Sequence, residues 1–188
     1  MVKIVKHQFI NKDFSNPNWK IKHLFLGTFN PEGGEKVNYY YGRDRNQTWK
    51  LLSEIFKVDF NVNNENFLNE IKRNEIACID MINSVTINSD DLDFVLGKGY
   101  SDSKIINGRV KRQYNTILIK EIIENNPGIK IYSTWGLGSR EPDWVAEINK
   151  IQHIIRLVSP SMAARVPKGI KKYVFMKTDW ESKISNNK

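Results

Sequence analysis

Apolar residues occur along the chain in short blocks whose period switches between strand-like and helix-like. Residues 2–5 read as an edge strand, and residues 11–19 are turn-rich around Asn16-Pro17-Asn18. Residues 22–27 form the first firm strand, ending in the continuous apolar run expected of a strand covered on both faces. Trp49, Leu52, Ile55 and Phe56 then share a helical face, with Asn46 placed as its N-cap. An Asn-rich loop over 58–66 and a short helix over 66–73 lead into a second core strand over 75–82. From 83 to 108 the pattern dissolves into a long insertion with a short helix near 91–96. Tyr114, Ile117, Leu118 and Ile122 mark a helix over 114–125, stopped by Asn126-Pro127-Gly128. A third strand follows over 130–134, with Trp135-Gly136-Leu137-Gly138-Ser139 as its exit loop. Pro142 sits where a helix's first residue often is, opening a helix over 143–150. A fourth strand over 151–158 and a C-terminal helix within 169–184, where Tyr173-Val174-Phe175-Met176 also fits a strand, complete the order. Strands alternating with helices predict an α/β fold with a mostly parallel sheet. The loops after the strands then gather at one edge, where open α/β sheets bind ligands.

Composition narrows the class of protein. At 188 residues the chain favours one domain, spanning 1–188, and permits two small ones. No apolar run approaches the roughly 18 residues of a membrane span, and the first residues lack the apolar core of a signal peptide. The single cysteine, Cys78, rules out a disulfide framework or a cysteine-ligated cluster within one chain. The expectation is a cytoplasmic monomer with no membrane partner. A net charge of +8 favours polyanionic partners, although lysines also simply solvate a surface.

Several residues then carry candidate chemistry. Asn30 directly follows the first strand and precedes Pro31. Its amide has the atoms to hold a water and a ligand, and Asn-Pro is also a common turn start. Tyr39, Tyr40 and Tyr41 form an aromatic run suited either to stacking on a nucleobase or to packing their own loop. Arg43, Arg45 and Lys50 lie near enough to reach phosphate. Ser159-Pro160-Ser161 ends the last strand as a turn fit to grip phosphate, and Met162 and Ala163 make an apolar tip followed by Arg165. Gly97-Lys98-Gly99 lacks the P-loop spacing and reads as a flexible loop. His153 falls inside the fourth strand as a structural residue; His7 and His23 belong to no recognised spacing. No cluster has metal-ligand spacing.

In their order, these segments resemble the uracil-DNA glycosylase superfamily, nearest to its mismatch-specific uracil/thymine and its deoxyinosine (hypoxanthine) glycosylases. Gly27-Thr28-Phe29-Asn30-Pro31 looks like the first motif. The stretch from Tyr40 to Lys50 looks like the segment after it, and Ser159-Pro160-Ser161-Met162-Ala163-Ala164-Arg165 looks like the DNA-intercalating second motif. The resemblance covers residues 22–182 and implies a three-layer α/β/α sandwich around a four-stranded parallel sheet. It implies hydrolysis of the N-glycosidic bond of uracil or hypoxanthine flipped out of DNA, as in base excision repair, with no cofactor. Asn30 would orient or activate water, while Gly27, Thr28, Phe29, Tyr41 and Asn46 would shape the base pocket. Ser159, Pro160, Ser161, Met162, Ala163 and Arg165 would contact DNA. Backbone N–H groups near Thr28 and Phe29 would stabilise the leaving base. Two departures stand out: one extra residue between Gly27 and Asn30, and a second motif without His. They leave open a catalytically inactive relative that binds damaged or foreign DNA.

Overall fold

The computed structural model describes residues 1–97, 100–108, 110–135 and 141–185. The elements run β1 (Val2–Lys6), β2 (His23–Gly27), α1 (Thr48–Phe56), α2 (Phe67–Arg73), β3 (Ile76–Asp80), β4 (Ile82–Asn88) and α3 (Asp93–Leu96). They continue with α4 (Asp102–Asn107), β5 (Lys111–Tyr114), α5 (Thr116–Asn125), β6 (Lys130–Ser133), α6 (Pro142–Asn149), β7 (Ile154–Arg156) and α7 (Lys172–Ser185).

The core is a four-stranded parallel sheet in the order β3-β2-β6-β7, flanked by helices as an α/β/α sandwich. Strand β2 is buried along its whole length, as its unbroken apolar run predicts. Its side chains alternate between two cores. Leu24 and Leu26 pack with Ala77, Ile79, Ile119, Ile122 and Trp144. Phe25 packs on the other side with Ile76, Cys78, Tyr132, Leu51, Leu52, Met176 and Trp180. The register sets Gly27 beside Asp80 and Leu26 beside Ser133, so neighbouring strands end at the same level.

Four sequence expectations need correction. The second core strand stops at Asp80, and after Met81 the chain turns into β4. Strand β4 is the centre of a second, antiparallel sheet, β1-β4-β5, that the sequence pattern did not announce. A register shift between Ile82 and Ser84 breaks the alternation by which β4 would be recognised. The helix expected from Tyr114 starts at Thr116, because residues 111–114 pair with β4 as β5. The fourth strand is only Ile154–Arg156, and His153 lies before it, exposed, at a left-handed φ of 57°. The insertion holds the helix expected near 91–96, as α3, and a second one, α4, that was not expected. The Gly97-Lys98-Gly99 expectation falls partly outside the described residues, as does most of the loop after Trp135.

Candidate active site at the strand C-termini

The exits of β2 and β7 meet. Past Gly27, the chain is pinned by Met81 N–H on Gly27 O (3.0 Å), Ile82 N–H on Thr28 O (3.1 Å) and Gln8 N–H on Asn30 O (2.9 Å). Past β7, Ser161 forms an isolated antiparallel bridge with Asn46, and Gln47 N–H donates to Pro160 O at 3.0 Å. Between these exits lies a cavity of about 290 Å³. Of the residues expected from sequence, Thr28, Phe29, Asn30, Tyr41, Asn46, Ser159, Pro160 and Ser161 line it. Its size is at the small end of ligand sites, roughly 300 Å³ and upward.

Asn30 is 9% exposed, and its side chain is fixed from behind. Asn30 Nδ2 donates to Asp80 Oδ2 at 2.8 Å. His7 Nε2 reaches the same oxygen at 2.8 Å. Phe9 N–H donates to His7 Nδ1 at 3.1 Å, so the ring proton must sit on Nε2 and His7 donates to Asp80. With its nitrogen engaged, Asn30 offers the cavity its carbonyl oxygen, an acceptor for a water proton. Asp80 Oδ1 receives no hydrogen bond from a described residue, although Asp80 is 2% exposed and lines the cavity. Neither His7 nor Asp80 was singled out from sequence. Asp80 carries one legible signal, an acid inside the apolar run of a predicted core strand; His7 carries none.

Gly27 does not line the cavity but makes it possible. A Cβ there would lie 2.0 Å from Asp80 Oδ1 and 3.0 Å from the Tyr41 hydroxyl. Tyr41 adopts a left-handed φ of 59° and pairs with Thr134 Oγ1 at 3.3 Å. Burial, then the nearby Cys78 and Asp80, hold its phenol well above the usual tyrosine range. Tyr39 and Tyr40 are core residues, packed with Phe14 and Trp49 rather than presented to a ligand. Asn46 accepts from Thr48 N–H at 2.9 Å through Oδ1, which leaves its amide nitrogen for the cavity. It sits one residue before the N-cap position, Gln47.

The insertion supplies a further wall. Asp102, Ser103, Ile106 and Asn107 of α4 line the cavity, as do Thr134 and Trp135 after β6. The Tyr100 hydroxyl lies 2.5 Å from Phe29 O and 2.7 Å from Asp102 Oδ1, joining this wall to the first motif. Desolvation, opposed by the Tyr100 hydrogen bond, raises the Asp102 carboxyl above the usual aspartate range. Arg112 anchors α4 from below, donating to Ile105 O (2.9 Å), Ile106 O (2.9 Å) and Gly108 O (3.2 Å) while forking onto Asp143.

Met162, Ala163 and Arg165 are exposed and do not line the cavity. Met162 is 42% exposed, with its carbonyl held by Lys172 Nζ at 2.7 Å. Ser159 Oγ and Ser161 Oγ accept from Ser161 N–H (3.4 Å) and Ala163 N–H (3.2 Å), which shapes the turn. Of the nearby basic residues, Arg45 is exposed, Arg43 stacks over the Tyr100 ring at 4.6 Å, and Lys50 over Tyr173 at 4.4 Å. Among the described residues no group of three or more His, Cys, Asp or Glu is arranged to hold a metal, and no helix is long and apolar enough to cross a membrane.

Fold and site together define an α/β sandwich with a small polar cavity at the carboxyl edge of its parallel sheet. No family model, no curated protein and no solved structure matches the chain.

Proposed function

We propose that the protein is a monofunctional DNA glycosylase that hydrolyses the N-glycosidic bond of a damaged or mismatched base everted from DNA. The observation that carries this reading is the convergence of Asn30, Tyr41, Asn46, Ser159 and Ser161 on one cavity of about 290 Å³. Those residues come from three separate segments, and the sequence resemblance assigns each of them to one base pocket or its DNA-facing rim. The geometry is compatible with the required steps. An everted base is admitted at the sheet edge, at a cost of a few kcal/mol of unstacking that is least for a mispaired base. Tyr41 supplies a flat ring beside it. The carbonyl oxygen of Asn30, held by Asp80 and His7, accepts a proton of the water that approaches C1′ as positive charge grows on the sugar. Met162 and Ala163, exposed just past Ser161, would fill the gap left in the duplex.

The test is strand cleavage after alkaline treatment of duplexes carrying uracil, hypoxanthine, xanthine or mismatched thymine. Excision of any of these by the parent protein, with loss in Asn30→Ala, supports the reading. Tight and selective binding without excision would instead assign the inactive, damage-binding alternative. Absence of both would overturn the proposal.

A further inference from the structure

The charge of the cavity says more about the base than its shape does. Asp80 accepts two hydrogen bonds on Oδ2, from Asn30 and His7. Its other oxygen has no described partner, and the residue is 2% exposed. Asp102 brings a second carboxyl to the same cavity. Among the described residues, no lysine, arginine or histidine lines it. The described side chains around a bound base thus include two carboxyls and no cationic group.

That balance bears directly on bond cleavage. A neutral base such as uracil takes the bonding electrons and departs as an anion, and a carboxylate at its edge raises the energy of that transition state. A base that is already cationic departs neutral. We infer, on the glycosylase reading above, that the cavity selects a positively charged, N-alkylated purine, with Asp80 facing its charged ring system and Tyr41 stacking on it. In the step itself the C1′–N9 bond breaks and both its electrons move into the purine, cancelling the positive charge. A water oxygen bonds to C1′ and its surplus proton passes to solvent. Neither an anionic leaving group nor a side-chain acid is required. The ring face of Tyr41 also attracts a cation more than a neutral base. The selection appears in kcat/KM, where free enzyme and substrate are the reference.

The experiment compares duplexes bearing a single 7-methylguanine, hypoxanthine or uracil at one position, each rate being taken relative to its own spontaneous loss. A 2′-fluorinated 7-methylguanosine duplex, which resists cleavage, reports binding separately. The parent protein is expected to favour 7-methylguanine over uracil by roughly tenfold or more in kcat/KM, and Asp80→Asn to erase about tenfold of that preference. Asp80→Asn keeps the size of the side chain, and its folding is checked by thermal melting. Uracil excised in preference to 7-methylguanine would overturn this inference and leave the glycosylase reading standing. So would a preference unchanged in a folded Asp80→Asn. No excision of any duplex, with the fluorinated duplex bound no better than an undamaged one, would overturn both.

Discussion

Asn30 and Asp80, separated by fifty residues, are joined by a hydrogen bond of 2.8 Å between Nδ2 and Oδ2 at the ends of adjacent parallel strands. The bond fixes which end of the Asn30 amide faces the cavity. Without it, the amide could rotate and present a donor where an acceptor is needed. Asp80 is in turn held by His7, so the strand edge orders the site from the inside outward.

Replacing Asn30 with Ala removes the acceptor for water and one of the two donors to Asp80. On any duplex the parent protein cuts, the single-turnover rate should fall by roughly 100-fold or more, the scale of a positioned group that handles the water proton. Denaturant unfolding of the same variant should show a loss of about 1–3 kcal/mol, the cost of a buried charged acceptor deprived of a donor. A variant with the parent's rate would remove Asn30 from the chemistry.

Gly27→Ala tests the close approach behind the cavity. Its Cβ would overlap Asp80 Oδ1, at 2.0 Å, so the carboxylate must move. The expected destabilisation is about 1–3 kcal/mol, as for other overpacked sites. Displacement of Asp80 also releases Asn30, so excision should fall by more than the loss of folded protein explains. Urea titration and the excision rate at full folding, measured together, separate the two effects.

Arg112→Ala tests the wall formed by α4. The guanidinium is 6% exposed and meets three carbonyls and the Asp143 carboxylate. Removing it should cost about 1–3 kcal/mol, the scale of leaving partly buried carbonyls without their donor. Amide hydrogen exchange should rise first in Asp102–Asn107, which Arg112 holds against the cavity. Uniform acceleration across the sheet would mean that α4 is not separately anchored.

The same pair gives a pH dependence with a definite sign. Burial alone would raise the Asp143 carboxyl, but hydrogen bonds from Arg112 and Tyr114 outweigh it and hold it below the usual aspartate range. A carboxyl depressed on folding contributes stability above its unfolded pKa, about 3.9, and loses it as pH falls through the lower folded value. Asp143→Asn should therefore be less stable than the parent at neutral pH, and the difference should shrink below about pH 4. Urea midpoints measured from pH 7 down to the acid transition test this; a gap constant with pH would refute it.

Arg45 and Arg165 are exposed. If they meet phosphates, changing each to Ala should weaken binding to damaged and undamaged duplexes alike and reduce the slope of log K against log salt by about one unit. Fluorescence anisotropy over a salt series measures this. An unchanged slope would place the DNA path elsewhere.

Most of the parallel sheet was legible because its signal is local. The apolar run ending at Gly27, the helix stop at Asn126-Pro127-Gly128 and the Pro142 start each act within a few residues. The continuous burial of β2 follows from its composition, and alternation of strand with helix fixes a parallel core covered on both faces. Asn30 and Ser159 could be named because they follow predicted strands, whereas Tyr41 and Asn46 were assigned to the pocket by the resemblance. Only tertiary structure decided the rest. Whether Asn46 meets Ser161, or Asn30 meets Asp80, depends on strand order and register, which are set by packing between segments far apart in the chain. Strand β4 hid behind a register shift that breaks its alternation, and α4 behind a segment too short to establish a period. His7 has no local mark at all: its role exists only because β1, β3 and the exit of β2 bring one ring, one carboxylate and one amide to a single point.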